Sequence, residues 1–250
     1  MSPSGQGRRF RAILFDFFGT LATSETQDEA HLRLMESLVE RYHLTTEPSI
    51  LLNEFNSFLR APLGRRSVWT PHRELVRNAL SMLVGGIGGG TVRIGEEDRD
   101  WFYSEYLNHH KAFVRLHDGA REVLERVRAE GAYIGLLADA DTAYIEKQLV
   151  WLNLCGLFDS VTTAEEVGAS KPDPRIFKVA LGKAGCGGNR AIFIGSAPGE
   201  ELEVARSFGM TTILVDHRMS ATDLTGADFV ASHMSRVGTI LIELLYQPMV

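Results

Sequence analysis

The sequence predicts an α/β fold: a parallel sheet covered by helices on both faces, with an all-helical block inserted after the first strand. Three observations lead there. After Asp118-Gly119, short apolar runs alternate with helical runs to the end of the chain. A matching apolar run, FRAILF at 10–15, stands alone near the start. Between them, residues 22–115 show helical spacing only. Strands that are apolar nearly throughout belong to sheets with no solvent-facing side.

Residues 10–15 are short, apolar and closed by Gly19-Thr20, the pattern of a buried strand. Helical spacing starts near residue 24, where Thr26 and Glu29 form a capping box for the open amides of a first turn. Leu34, Met35, Leu38, Val39 and Tyr42 then share one face. Pro48 opens a second helix with Leu51, Leu52, Phe55 and Leu59, and Thr70-Pro71 opens a third with Leu75, Val76, Ala79, Leu80 and Leu83. The glycine run at 85–90 breaks that pattern. No strand precedes it and no Gly-Lys-Ser/Thr follows, so it reads as a loop between helices and not as a phosphate loop. A fourth helix spans 96–110.

Helix 119–130 ends at Gly131 and leads to strand 132–137. Helix 142–152 follows, with Asp141 suited to its N-cap. Strand 160–162, helix 174–184 and strand 191–194 come next. Helix 200–208 has Pro198 in its first turn and Glu200-Glu201 beside the positive end of its dipole. Strands 211–215 and 229–230 and a helix from Ser235 complete the chain. Two domains result: 8–21 with 116–250, and 22–115.

The formal net charge of −6 argues against a nucleic-acid-binding surface, which needs clustered Lys and Arg. Cys155 and Cys186 have no CxxC partner, so they read as reduced thiols without a metal knuckle. The apolar run after Arg8, Arg9 and Arg11 stops at Asp16, too short for a signal-peptide core, and no apolar span reaches transmembrane length. The expectation is a cytoplasmic protein with neither membrane nor nucleic acid as partner.

In open α/β sheets, ligands bind at the carboxyl ends of the strands. Those ends carry Asp16, Ala138-Asp139, Ser170-Lys171 in the loop after the third strand, and Ser196. His109-His110 are adjacent on a helix and point apart, so they do not form a metal pair. Arg33, Arg41, Arg60, Arg65 and Arg66 in the helical block are candidates for binding an anion.

Four blocks, FDFFGTL (15–21), LLADAD (136–141), SKPDPRIF (170–177) and IGSAPGEELEVARSFGM (194–210), resemble in kind and order the haloacid dehalogenase-like hydrolase superfamily. The resemblance implies a Rossmann-like three-layer core with a helical cap over 22–115. It implies Asp16 as nucleophile, with Lys171 keeping it ionised and neutralising a small anionic substrate. Backbone amides after Asp16 would cradle the transferring group. The implied substrate contacts fall on Phe18, Gly19, Thr20, Ala138, Asp139 and Ser196. The implied Mg²⁺ site falls on Asp16, Phe18 and Glu201.

The departures from the family pattern are chemical. Phosphatase members carry a second Asp where Phe18 stands, and losing a general acid/base costs about 10²–10⁴ in rate. Ala138 replaces a hydroxyl residue, and Ser196 and Glu201 replace two Asp residues of the metal site. Mg²⁺ requires about six oxygen ligands in near-octahedral geometry, which this set supplies poorly. The superfamily's 2-haloacid dehalogenases use no metal and place an aromatic residue at the Phe18 position and Ser at the Ser196 position. They also want Ser-Asn where Ala138-Asp139 stand and Asn where Pro198 stands. Three expectations follow: a phosphatase-like hydrolase acting through Asp16 on a phosphate ester, a metal-free hydrolase of 2-haloacids, or a fold that binds a ligand or partner without turnover.

Overall fold

The computed structural model describes residues 9–23, 27–60, 69–87, 93–217 and 227–246. They fall into two compact units, Met1–Thr23 with Arg115–Val250, and Ser24–Val114.

Ser24–Val114 is helical among its described residues, with α1 (Gln27–Tyr42), α2 (Pro48–Arg60), α3 (His72–Ile87) and α4 (Glu96–Phe113). Helix α1 packs on α2 and α4, and α3 packs on the same two. The buried faces are the expected periodic residues, among them Leu34, Met35, Leu38, Phe55, Val76, Leu80 and Leu83. One boundary differs: α3 runs on through Gly85 and Gly86 to Ile87. A glycine costs about 1 kcal/mol relative to Ala inside a helix. Burial of Leu83 and Val84 carries the helix past it. The rest of the glycine run, Thr26 of the capping box, Arg65 and Arg66 lie outside the described residues. A histidine cluster fills one end of this core. The His31 ring lies 5.1 Å from that of His110 and 5.8 Å from Tyr106, which contacts His72 at 5.5 Å. Burial, with the charge of His31 adding to it, pushes His72 down to about 4.

The other unit is built on β1 (Ala12–Asp16), β2 (Tyr133–Ala138), β3 (Ser160–Thr163), β4 (Ala191–Gly195), β5 (Thr211–Val215) and β6 (Phe229–Ala231). These six strands, among the described residues, form one sheet in the order β3-β2-β1-β4-β5-β6, every pair parallel. This is the doubly wound Rossmann order, and its winding reverses between β1 and β4. The helices are α5 (Ala120–Ala129), α6 (Thr142–Trp151), α7 (Ala164–Val167), α8 (Pro174–Ala184), α9 (Glu200–Ser207) and α10 (Met234–Leu245). Helices α8 and α9 pack together against the sheet, as do α5 and α10, giving three layers. Leu14, Leu137, Phe193 and Leu214 meet Ile176, Phe177 and Leu202 in the core of the first face. Among the described residues no helix is long and apolar enough to cross a membrane.

Two local features differ from the sequence reading. Helix α7 was not expected; Thr163 caps it by accepting the Glu166 N–H at 3.2 Å, and Gly168 closes it with φ 70°. Helix α9 begins at Glu200, after Gly199 with φ 90°, so Pro198 precedes the helix and is not in its first turn.

Candidate functional site

Asp16 ends β1, paired in register with Leu137 of β2. The chain then makes a tight turn. The Thr20, Leu21 and Ala22 amides donate to the Phe17 carbonyl at 3.3, 2.9 and 3.0 Å, and the Gly19 amide donates to Ala22 O at 2.7 Å. Gly19 takes φ 79°, a conformation that side chains disfavour. The turn brings Thr20 back beneath the strand end, and its hydroxyl donates to Asp16 Oδ2 at 2.8 Å. The amides of Gly19 to Ala22 are thus committed within the turn. The expected cradle therefore does not include these four amides.

Lys171 arrives from the loop before α8. That loop is set by Asp173, whose amide donates to Ser170 O at 2.9 Å and whose side chain caps the helix at the Arg175 amide. The Lys171 ammonium donates to Asp16 Oδ1 at 2.8 Å and is 3% exposed. Asp139, just beyond β2, holds the same lysine twice. Its Oδ1 accepts the Lys171 backbone N–H at 2.8 Å, and its Oδ2 lies 3.4 Å from Nζ. Glu201, in the first turn of α9, places Oε1 3.7 Å from Nζ.

Three carboxyl groups therefore converge on one ammonium. Burial alone would lower the lysine's pKa, but Asp16, Asp139 and Glu201 together outweigh it and raise it, so Lys171 stays charged. Burial pushes the Glu201 carboxyl up to about 8 against the pull of Lys171, with the charges of Asp16 and Asp139 adding to the rise. Burial also raises Asp139, opposed by Lys171; its side chain is 35% exposed, and solvent moderates that rise. With one positive charge for three carboxyl groups, holding Glu201 neutral is the least costly arrangement.

The remaining expected residues lie around this cluster. Ala138 is buried at the end of β2 and brings no hydroxyl. The Phe18 ring stacks on Tyr144 of α6 at 6.1 Å and meets Phe17 edge-on at 4.8 Å. Ser196, after β4, donates to the Phe18 carbonyl at 3.5 Å. Asp141 holds the N-cap position of α6 without a side-chain cap bond; Glu165 of α7 accepts the Thr142 amide instead, at 2.8 Å. Arg33 pairs with Glu29 and Glu36, and Arg41 lies over Trp101 and beside Asp98.

The residues present do not fit a resident Mg²⁺. Asp16 accepts one hydrogen bond at each oxygen, from Lys171 and from Thr20, and keeps a lone pair on each, so it could supply at most one carboxylate to a metal that needs about six oxygens. Burial raises the Glu201 carboxyl to about 8, which opposes its ionisation. Ser196 and Phe18 supply no carboxylate. Among the described residues no group of three or more His, Cys, Asp or Glu could hold a metal ion.

The pattern "Thr163-x-x-Glu166" was a readable sign of α7. Tyr144 gave no sign, because its place behind Phe18 depends on how α6 packs.

Comparison with known proteins agrees with this architecture. The family model described as haloacid dehalogenase-like hydrolase matches residues 13–215. The glyceraldehyde 3-phosphate phosphatase of Methanothermobacter thermautotrophicus is 30% identical over 118 residues, 47% of this chain and 52% of that protein, so the matched stretch spans about half the relative's length. The validoxylamine A 7'-phosphate phosphatase of Streptomyces hygroscopicus subsp. limoneus is 26% identical over 234 residues, 92% of this chain and 99% of that one. A solved L-2-haloacid dehalogenase superposes with a TM-score of 0.71 at 19% identity, covering 94% of this chain and 99% of that one, a likeness of fold. With the sheet order, the ordered blocks and the family model in agreement, the chain belongs to the haloacid dehalogenase-like hydrolases.

Proposed function

We propose that this chain hydrolyses a small anionic substrate, a phosphate monoester, through a covalent ester on Asp16 and without a divalent metal. The observation that carries the reading is Asp16 itself. It ends the strand beside the switch point, its two oxygens oriented by the Lys171 ammonium at 2.8 Å and the Thr20 hydroxyl at 2.8 Å. A carboxylate held between a fixed cation and a fixed hydroxyl is poised for attack without reorganising solvent. An Asp16 oxygen bonds to phosphorus and the bond to the leaving oxygen breaks. Phe18 carries no proton, so that oxygen takes one from water, or from Glu201, which regains it from the water that attacks next. Water then attacks the phosphoryl group, releasing inorganic phosphate and the free carboxylate. Lys171 supplies the positive charge throughout. The phosphate ester is chosen because two phosphatases, one aligned over nearly its whole length, are among the relatives.

A second reading has its own support. Phe18 and Ser196 are the residue types of metal-free 2-haloacid chemistry, and the donor set here does not fit Mg²⁺. In that case Asp16 attacks carbon and halide leaves.

The experiment is turnover of an aryl phosphate and of 2-chloropropionate, each with Mg²⁺ and with chelator, by the wild type and Asp16→Asn. Phosphate release that survives chelator and is lost in the variant supports the proposal. Release that requires Mg²⁺ overturns its metal independence. Halide release alone selects the second reading. No release from either substrate removes the catalytic reading.

A further inference from the structure

Thr20 has a second attachment, at its backbone carbonyl. His217 follows β5, and its Nε2 lies 3.4 Å from the Thr20 carbonyl. A carbonyl accepts only, so the imidazole nitrogen facing it carries the proton. The His217 ring lies flat on that of His117, with centroids 3.6 Å apart and planes 14° apart. His117 belongs to the segment returning at residue 115, and its own amide donates to the Leu21 carbonyl at 2.9 Å. The His217 imidazole and the His117 backbone amide, from distant parts of the chain, thus meet consecutive carbonyls of the turn whose hydroxyl touches the nucleophile.

The contacts form a short chain: His117 against His217, His217 on Thr20 O, Thr20 Oγ1 on Asp16 Oδ2. The amides of Thr20, Leu21 and Ala22 all converge on the Phe17 carbonyl, so the turn is tied together at that point. A shift of the Thr20 carbonyl therefore displaces its hydroxyl. Stacking limits the His217 ring to in-plane motion, which directs its N–H.

We propose that His217, held flat by His117, is a positioning residue that fixes Thr20 and, through it, the orientation of the Asp16 carboxylate. The proposal rests on the reading of Asp16 as the nucleophile. It uses only residues of the unit that carries the sheet.

The test combines kinetics with amide hydrogen exchange. His217→Phe keeps a flat ring and loses the donor, while His217→Gln keeps a donor. His217→Phe is expected to lower kcat about three- to tenfold, the usual range for one hydrogen bond, with KM within about twofold. His217→Gln is expected to recover most of that loss. In a Thr20→Val background, His217→Phe is expected to change kcat by less than about twofold, because the relay is already cut. An equal loss in both backgrounds, or no loss in either, overturns the proposal. Exchange of the Thr20, Leu21 and Ala22 amides is followed in Asp16→Asn with and without His217→Phe, which needs no turnover. Faster exchange with His217→Phe supports the hold on the turn, and unchanged exchange overturns it. If wild type turns over nothing, the reading of Asp16 fails while the exchange result still decides whether His217 holds the turn.

Discussion

Replacing Glu201 by Gln removes a proton-binding group from the buried cluster with little change in volume. In the folded chain this carboxyl is pushed up to about 8 from its ordinary 4.5, chiefly by burial. The sign follows from proton counting. Between those two values the folded state keeps a proton that the unfolded chain has released. Stability from this group is therefore fully present below pH 4.5 and is lost as pH rises through about 8. At about 1.4 kcal/mol per pKa unit, the loss across the window is on the order of 3–5 kcal/mol, the lower figure allowing for the pull of Lys171. The assay is urea unfolding of wild type and Glu201→Gln at steps from about pH 5 to about pH 9, read as midpoints at constant slope. The variant is expected to gain on wild type as pH rises, by most of that amount at the alkaline end. Curves that run parallel across the range would refute the reasoning. They would mean that the attraction of Lys171 outweighs burial and that Glu201 ionises in its usual range.

Lys171→Met leaves the buried carboxyl groups without their counter-ion and is expected to cost about 3–5 kcal/mol, measured by denaturant unfolding, in addition to any loss of turnover. Phe193→Ala, in the sheet core where its ring meets Phe177 at 5.2 Å, is expected to cost about 3–5 kcal/mol in the same assay. His72 binds its proton more weakly folded than unfolded, so its contribution is intact above pH 6.5 and is lost as pH falls toward about 4. The His72 residue is only partly buried, so about 3 kcal/mol is the upper bound, and His72→Phe is expected to flatten the thermal midpoint against pH in that window.

Much of the fold was legible because its signals are local. The apolar run before Asp16, the strand–helix alternation after residue 118 and the Asp-Pro start of α8 each specify an element from a few adjacent residues. Helix α7 escaped because four residues are too few for a period. The end of α3 escaped because glycine weakens a helix without forbidding it. The site divided along the same line. Asp16 stood out by its position at a strand end, and Lys171 by the SKPDP block that holds it. The double hold of Asp139 on Lys171, the inward turn of the Thr20 hydroxyl and the upward push on the Glu201 carboxyl depend on groups far apart in sequence meeting in register. Burial, the main cause of the push on Glu201, is a property of the packed molecule and leaves no mark on the residues beside it.

The segments on either side of the helical block are already joined within the sheet-bearing unit. Ala22 pairs with Leu116 in an antiparallel bridge, and the Thr23 amide donates to Arg115 O at 2.8 Å. The entropy of closing a loop grows only logarithmically, about 0.6 kcal/mol per doubling of length. For the sheet, the length and content of what lies between Thr23 and Arg115 are nearly free variables. A short turn joining those two residues would satisfy the same bridge. Evolution or design can therefore splice a different insert at this point without re-specifying the strands, and the Asp16–Thr20–Lys171 arrangement, made entirely outside the insert, travels with the sheet.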